Sequence, residues 1–190
     1  LKKAYKELLE LQVAIVGDVS PMIGRELDRR QRSLARALGE RQEVVRGRMA
    51  DLREKTSEFE EVRLFDYAHS RFETVASRAA RTLEEGRAPA GTGRDLATAV
   101  RILQGLVQAL DEAQSKKDEF KDDEPQEGDG GGGQSGKPPL IPPMAELKLL
   151  RAMQAEAFDR TRDIEGDADP GELEAIGRLQ RDLAEHGAQL

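Results

Sequence analysis

Three groups of residues have types and spacings that could carry chemistry. Gly131, four intervening residues, Gly136 and Lys137 match the skeleton of a phosphate-cradling loop. Such a loop needs Ser or Thr after the lysine to hold magnesium, and a helix whose N-terminus faces the phosphate. Pro138 stands there instead, no strand signal precedes the glycines, and the acids just upstream would repel a nucleotide. The tract reads as a linker. Asp163, Glu165, Asp167, Asp169 and Glu174 sit at offsets that resemble a calcium loop, with an acid at the twelfth position. The sixth position should be Gly for the sharp turn but is Ala168, and Pro170 falls at the eighth. Acidic inter-helix turns arise from ordinary Asp capping, so no metal site is expected. His69 could serve as a general base, but no Ser or Cys nucleophile can be matched to it, and it reads as a polar histidine on a helix flank. His186 lies near the end of the chain and reads the same way. Acid pairs such as Glu60/Glu61 and Glu84/Glu85 point to different helix faces and form no carboxylate dyad.

Composition narrows the chemistry further. The chain has no Cys, which removes disulfides, thiolate metal sites and cysteine nucleophiles. Charged residues make 35% of the 190 residues and aromatics only 4%. Ala, Leu, Glu, Arg and Lys together make about half the chain, the mark of long helices or coiled coils. The net charge of −7 is unevenly placed: Asp111 to Asp129 carries nine acids against three lysines. Arg25 to Arg81 holds fourteen basic and eleven acidic residues, a mixed surface rather than a basic stripe. No nucleic-acid partner is expected from it. No run approaches the ~18 apolar residues of a membrane span. The chain opens on Leu1 rather than Met, so an upstream segment is expected.

The elements that would position any site are helical throughout. Leu1, Ala4, Leu8, Leu11 and Ile15 predict an amphipathic helix, interrupted at Gly17, Pro21 and Gly24. From Arg25 to about Gly86, Leu27, Leu34, Leu38, Val45, Met49, Leu52 and Phe59 make a near-heptad seam, with Gln31 as a polar interruption. Phe65, Ala68, Phe72, Val75, Ala79 and Leu83 continue it after a phase change near Phe59 to Leu64, which predicts two helices. Gly39 and Gly47 should weaken the first by roughly 1 kcal/mol each relative to Ala. Gly86 to Gly93 reads as a turn, and Leu96, Val100, Leu103, Val107 and Leu110 stripe the next helix, forming an antiparallel hairpin. Residues 115–143 read as a disordered acidic Gly/Pro-rich linker. Pro143 suits a first helical turn, and Met144, Leu147, Leu150, Ala157 and Ile164 form a face widened by Leu149, Met153 and Phe158. Asp169 as cap and Pro170 at the first position open a last helix striped by Leu173, Ile176, Leu179 and Leu183.

One block is more distinctive than its composition. Lys137-Pro138-Pro139-Leu140-Ile141-Pro142-Pro143-Met144-Ala145-Glu146-Leu147-Lys148-Leu149-Leu150-Arg151-Ala152-Met153-Gln154 follows an acidic Gly-rich tract. It resembles a block shared by uncharacterised helix-rich bacterial proteins, notably of planctomycetes, strongly from Lys137 to Thr161 and loosely upstream. The resemblance implies export or envelope association, and it supplies no activity and no catalytic residues.

The expected fold is therefore all-α: an elongated helical hairpin or coiled-coil-like bundle over 1–114, a linker over 115–143, and a C-terminal helical hairpin over 144–190. The expected function is a non-enzymatic interaction or scaffold protein without cofactor, envelope-associated if an export signal precedes it and otherwise cytoplasmic. The alternative is a regulatory adaptor whose C-terminal hairpin docks a protein partner; a third is a non-catalytic fragment of a larger enzyme. Leu140, Ile141, Met144, Leu147, Leu150, Met153 and Phe158 are the expected partner-binding residues, packed intramolecularly or offered outward. A homodimer is preferred over an elongated monomer, because narrow apolar stripes complete themselves by association.

Overall fold

The computed structural model describes residues 1–57, 63–119, 143–162 and 170–188. The described residues are all-α, with helices α1 (Lys2–Val19), α2 (Arg29–Ser57), α3 (Arg63–Glu84), α4 (Ala90–Glu119), α5 (Pro143–Arg162) and α6 (Pro170–Gly187). A short 3₁₀ turn, Ser20–Met22, follows α1.

The seam of α2 shows how sequence becomes packing. Ala35, Leu38, Gln42, Val45, Met49, Leu52 and Thr56 are buried, alternating spacings of three and four, which is a heptad seam. Leu34, expected in that seam, is 49% exposed, and Ala35 beside it is fully buried. The reason is close approach: a Cβ on Gly39 would stand 2.9 Å from the Glu84 backbone nitrogen and 3.0 Å from the Ala80 oxygen. At that separation only small residues fit between α2 and α3, so Gly39 permits the contact that its low helix propensity would otherwise oppose. Gly47 has nothing within 4 Å and serves no such purpose.

Helix ends depart from the sequence expectations in instructive ways. α1 runs through Gly17 and stops only at Ser20–Met22, where Pro21 lies. α2 begins at Arg29, not Arg25, because Asp28 and Gln31 form a reciprocal cap: the Gln31 N–H donates to Asp28 Oδ1 at 2.8 Å, and the Asp28 N–H donates to Gln31 Oε1 at 2.9 Å. Gln31 is thus a capping residue, not a seam residue. α3 closes with Gly86 at φ +73°, its N–H donating to the Leu83 oxygen and the Arg87 N–H to the Thr82 oxygen. The turn is shorter than Gly86 to Gly93, since α4 already starts at Ala90. α4 also runs to Glu119, five residues into the expected linker, and the rest of that linker up to residue 142 lies outside the described residues. Pro143 opens α5 as expected, and Pro170 opens α6.

Cross-contacts fix the topology. Arg53–Asp66 and Arg46–Glu73 pair α2 with α3, and Arg78–Asp95 pairs α3 with α4, each antiparallel. α1 meets α2 through Asp18–Arg41 and α4 through Lys2–Asp111. The first four helices therefore alternate in direction and close into an up-down-up-down bundle, with α1 filling the gap between α2 and α4. Lys2 holds the Asp111 carboxyl below the usual carboxylate range by hydrogen bonding it. Inside the bundle, Gln12 and Gln42 are fully buried and exchange two amide hydrogen bonds, each 2.9 Å. The pair satisfies itself, so its net cost is small despite burial. α5 and α6 then pack antiparallel to each other, α5 lying mainly on α4.

Candidate interaction surface

The α5–α6 hairpin carries the residues expected to bind a partner, and one face of it is committed to the bundle. Leu149, Leu150, Met153 and Ala157 are all at most 4% exposed. Leu149 reaches so close to α4 that a Cβ on Gly105 would lie 2.9 Å from its Cδ1. Leu150 turns toward α6, where its Cδ2 comes within 3.3 Å of a Cβ built on Gly187. On α6, Ile176, Leu179 and Leu183 complete the buried side.

A charge sits in the middle of that apolar face. Glu156, one turn from Met153 and adjacent to Ala157, is 2% exposed. The Arg71 guanidinium of α3 donates to Glu156 Oε1 at 2.6 Å, and the Thr98 hydroxyl of α4 donates to the same oxygen at 3.4 Å. Arg160, one turn on, stands 4.0 Å away. One buried carboxylate thus joins α3, α4 and α5, and it fixes the register of the hairpin more sharply than leucines sliding on leucines could. Above it, the Tyr67 hydroxyl donates to Asp182 Oδ2 at 3.2 Å, and the Tyr67 and His186 rings meet at 4.7 Å between centroids. Burial pushes the Tyr67 phenol up from its ordinary value, so it remains the donor. Glu156 was not among the expected site residues. Its signal was an acid on an apolar face, but its two partners lie far away in sequence.

The opposite side of the hairpin is open. Leu147 is 50% exposed, Phe158 66% and Leu173 52%. Leu147 and Phe158 are eleven positions apart, about 20° and three turns along a helix, so they lie on nearly one line. The expected partner-binding set is therefore divided: Leu150 and Met153 face the bundle, and Leu147 and Phe158 face outward. Met144 falls in the first turn of α5, with its side chain outside the described residues, as are Leu140 and Ile141.

The remaining candidates resolve differently. His69 is not on a flank: it is 2% exposed and shares a 2.7 Å hydrogen bond between its Nε2 and the Tyr5 hydroxyl, with the rings stacked 5.8 Å apart. Its Nδ1 is buried without a partner among the described residues. Burial, helped by the nearby Arg53 charge, pushes its pKa down to about 4, and burial raises the Tyr5 phenol above its ordinary value. Of the calcium-like acids, Asp163 to Asp169 lie outside the described residues, and Glu174 pairs with Arg178 at 3.2 Å. Gly131 to Lys137 also lie outside them. Among the described residues, no group of three or more His, Cys, Asp or Glu could hold a metal ion, and no helix is long and apolar enough to cross a membrane. No family model, no curated protein and no solved structure matches the chain.

Proposed function

We propose that the chain is a non-enzymatic α-helical interaction module, in which α1–α4 form the fixed body and the α5–α6 hairpin presents the binding surface to a protein partner. The observation that carries this reading is the division of α5. One face is held on the bundle by Leu149, Met153 and the buried pair of Glu156 with Arg71 of α3, and this orients Leu147 and Phe158 outward. Leu147, Arg151, Gln154 and Phe158 recur at the i, i+4, i+7, i+11 spacing by which a helix presents anchors to a groove. A large aromatic left two-thirds exposed on a chain with few aromatics is a concentrated binding anchor. The non-enzymatic part of the reading is supported by His69, whose imidazole is shut in the core against Tyr5, where no substrate can reach it. Scaffold use in the cell envelope, as the resemblance of the Lys137 to Gln154 block implies, is the proposed setting.

Two substitutions separate the faces. Leu150→Asp buries an unpaired charge and should lower the melting temperature by several degrees or more. Phe158→Asp should leave helicity and melting within a degree or two and weaken binding to a purified partner, or to a second copy in sedimentation, at least tenfold. Full retention of both association and stability in Phe158→Asp would overturn the reading.

A further inference from the structure

The two helices of the hairpin carry the same outward row. On α5, Leu147, Arg151, Gln154 and Phe158 are exposed. On α6, Leu173, Gly177, Gln180 and Ala184 repeat those spacings, and all but the half-buried Gly177 are exposed. At about 100° per residue, each row keeps within about 60° of arc and runs about 16 Å, three turns of helix. The rows border one cleft. The Gln180 amide nitrogen, in the α6 row, donates to Thr161 Oγ1 of α5 at 3.4 Å, across the seam between the helices. Ile176, Leu179 and Leu183 turn to the other side and are buried. Leu147, Phe158 and Leu173 stand as apolar posts, and Gly177 and Ala184 keep the α6 wall low enough for another helix to come close.

The strip also lacks acid, on a chain whose net charge is −7. Its eight row positions hold one charge, Arg151. A second, Arg181, adjoins them and lies back over the strip, its Nη1 3.7 Å from where a Cβ on Gly177 would stand. The acidic side chains described on the hairpin face elsewhere. Glu156 is buried on Arg71, Asp182 meets Tyr67, and Asp159 and Glu174 pair with Arg162 and Arg178. Glu146 and Glu185 lie about 100° and about 120° round their helices from Leu147 and Leu173. What sets Arg151 and Arg181 apart from the other exposed arginines is this company: three of the seven exposed large apolar side chains, and no carboxylate.

Resting on the interaction reading above, we infer that the cleft takes an acidic amphipathic helix of a partner protein. A helix of three turns matches the length of the rows, its apolar side chains meeting Leu147, Phe158 and Leu173. Its carboxylates meet Arg151 and Arg181, whose planar guanidiniums can bind a carboxylate through two hydrogen bonds. A second copy is the poorer occupant. A two-fold axis through the strip sets its arginines against arginines and brings no acid in return.

The test is fluorescence anisotropy of the full chain with two labelled peptides of about 18 residues, long enough to form a helix. Both carry the same leucine stripe; the remaining positions are glutamate-rich in one and lysine-rich in the other. The glutamate peptide should bind saturably and at least tenfold more tightly than the lysine peptide, although the net charge of −7 favours the lysine peptide over the surface as a whole. Arg151→Glu combined with Arg181→Glu should reverse the preference, and Arg48→Glu, at an exposed position of α2, should change it less than twofold. Phe158→Ser should weaken the glutamate peptide at least tenfold. A lysine preference in the native chain, or no binding of either peptide, would overturn the acidic partner. So would self-association, or binding to phosphatidylglycerol vesicles, that Phe158→Ser abolishes, because a second copy or a bilayer then covers the cleft. A lysine preference leaves the interaction reading standing, whereas undiminished affinity of Phe158→Ser for the glutamate peptide removes that reading itself.

Discussion

The interface between α1 and α2 and the interface between α5 and the bundle solve the same problem with opposite chemistry. Each buries polar side chains among apolar ones. Between α1 and α2 the polar element is neutral and self-satisfying, the Gln12–Gln42 amide pair, while the ion pair Asp18–Arg41 sits on the half-exposed rim. Between α5 and the bundle the polar element is an ionised carboxylate at 2% exposure, held by an arginine that is itself 14% exposed. The neutral pair loses little on burial, because its hydrogen bonds are exchanged one for one. The charged pair must overcome desolvation of both ions, so its net stability is small although breaking it is expensive. The lesson is that the bundle is held by packing, whereas the hairpin is held in one register by a charge.

The largest effect should come from that charge. Arg71→Met leaves Glu156 buried with only Thr98 and the more distant Arg160, and should destabilise by about 3–5 kcal/mol. Arg71→Met combined with Glu156→Leu should recover most of that loss, as measured in a double-mutant cycle by urea unfolding. A double variant as unstable as the single would make the pair a stabilising contact in its own right and erase the contrast. Next is pH. His69 has a folded pKa of about 4 against an ordinary value of 6.5. Between those values the unfolded chain binds a proton that the folded chain refuses, so stability is complete above pH 6.5 and falls as pH drops toward 4. The slope should approach 1.4 kcal/mol per pH unit. Urea midpoints of His69→Gln should lack that share of the slope, and identical pH profiles would place the titration elsewhere. The smallest effects distinguish two glycines of α2. Gly47→Ala should stabilise by about 0.5–1 kcal/mol through helix propensity, and Gly39→Ala should destabilise by about 1–3 kcal/mol because the methyl meets backbone. Thermal melts of the two variants moving in the same direction would contradict the close α2–α3 approach.

How much of this was legible in the sequence depended on whether the cause was local. The break between α2 and α3, the four long helices of the bundle, and the seam through Leu38, Val45, Met49 and Leu52 follow from periodicity, which each helix carries by itself. Leu34 misled because hydrophobicity reports a residue's type and not the distance to its neighbour helix. At the α2–α3 contact, Ala35 fits where Leu34 cannot. His69 read as a flank residue because Tyr5, which makes it a core residue, is 64 positions away. Glu156 was hidden for the same reason, with Arg71 85 positions upstream. On α5 the apolar run was visible, but its split into Leu149 and Met153 inside and Leu147 and Phe158 outside required the position of α4.

The place of α1 in the bundle carries a consequence for the order of assembly. Contacts of α2 with α3 and of α3 with α4 join neighbours in the chain, so the loops they close are short. The Lys2–Asp111 contact closes almost the whole length of the bundle. Closure entropy rises with loop length, and local contacts form sooner than distant ones. Of these four helices, the earliest to be synthesised is thus the last to find its seat. Until α4 has emerged, Tyr5, Leu8, Ile15 and Val19 have only part of their eventual cover. The nascent chain must carry that apolar stripe unfinished until the rest of the bundle has been made, and the lysines beside it on α1 keep the waiting helix in water.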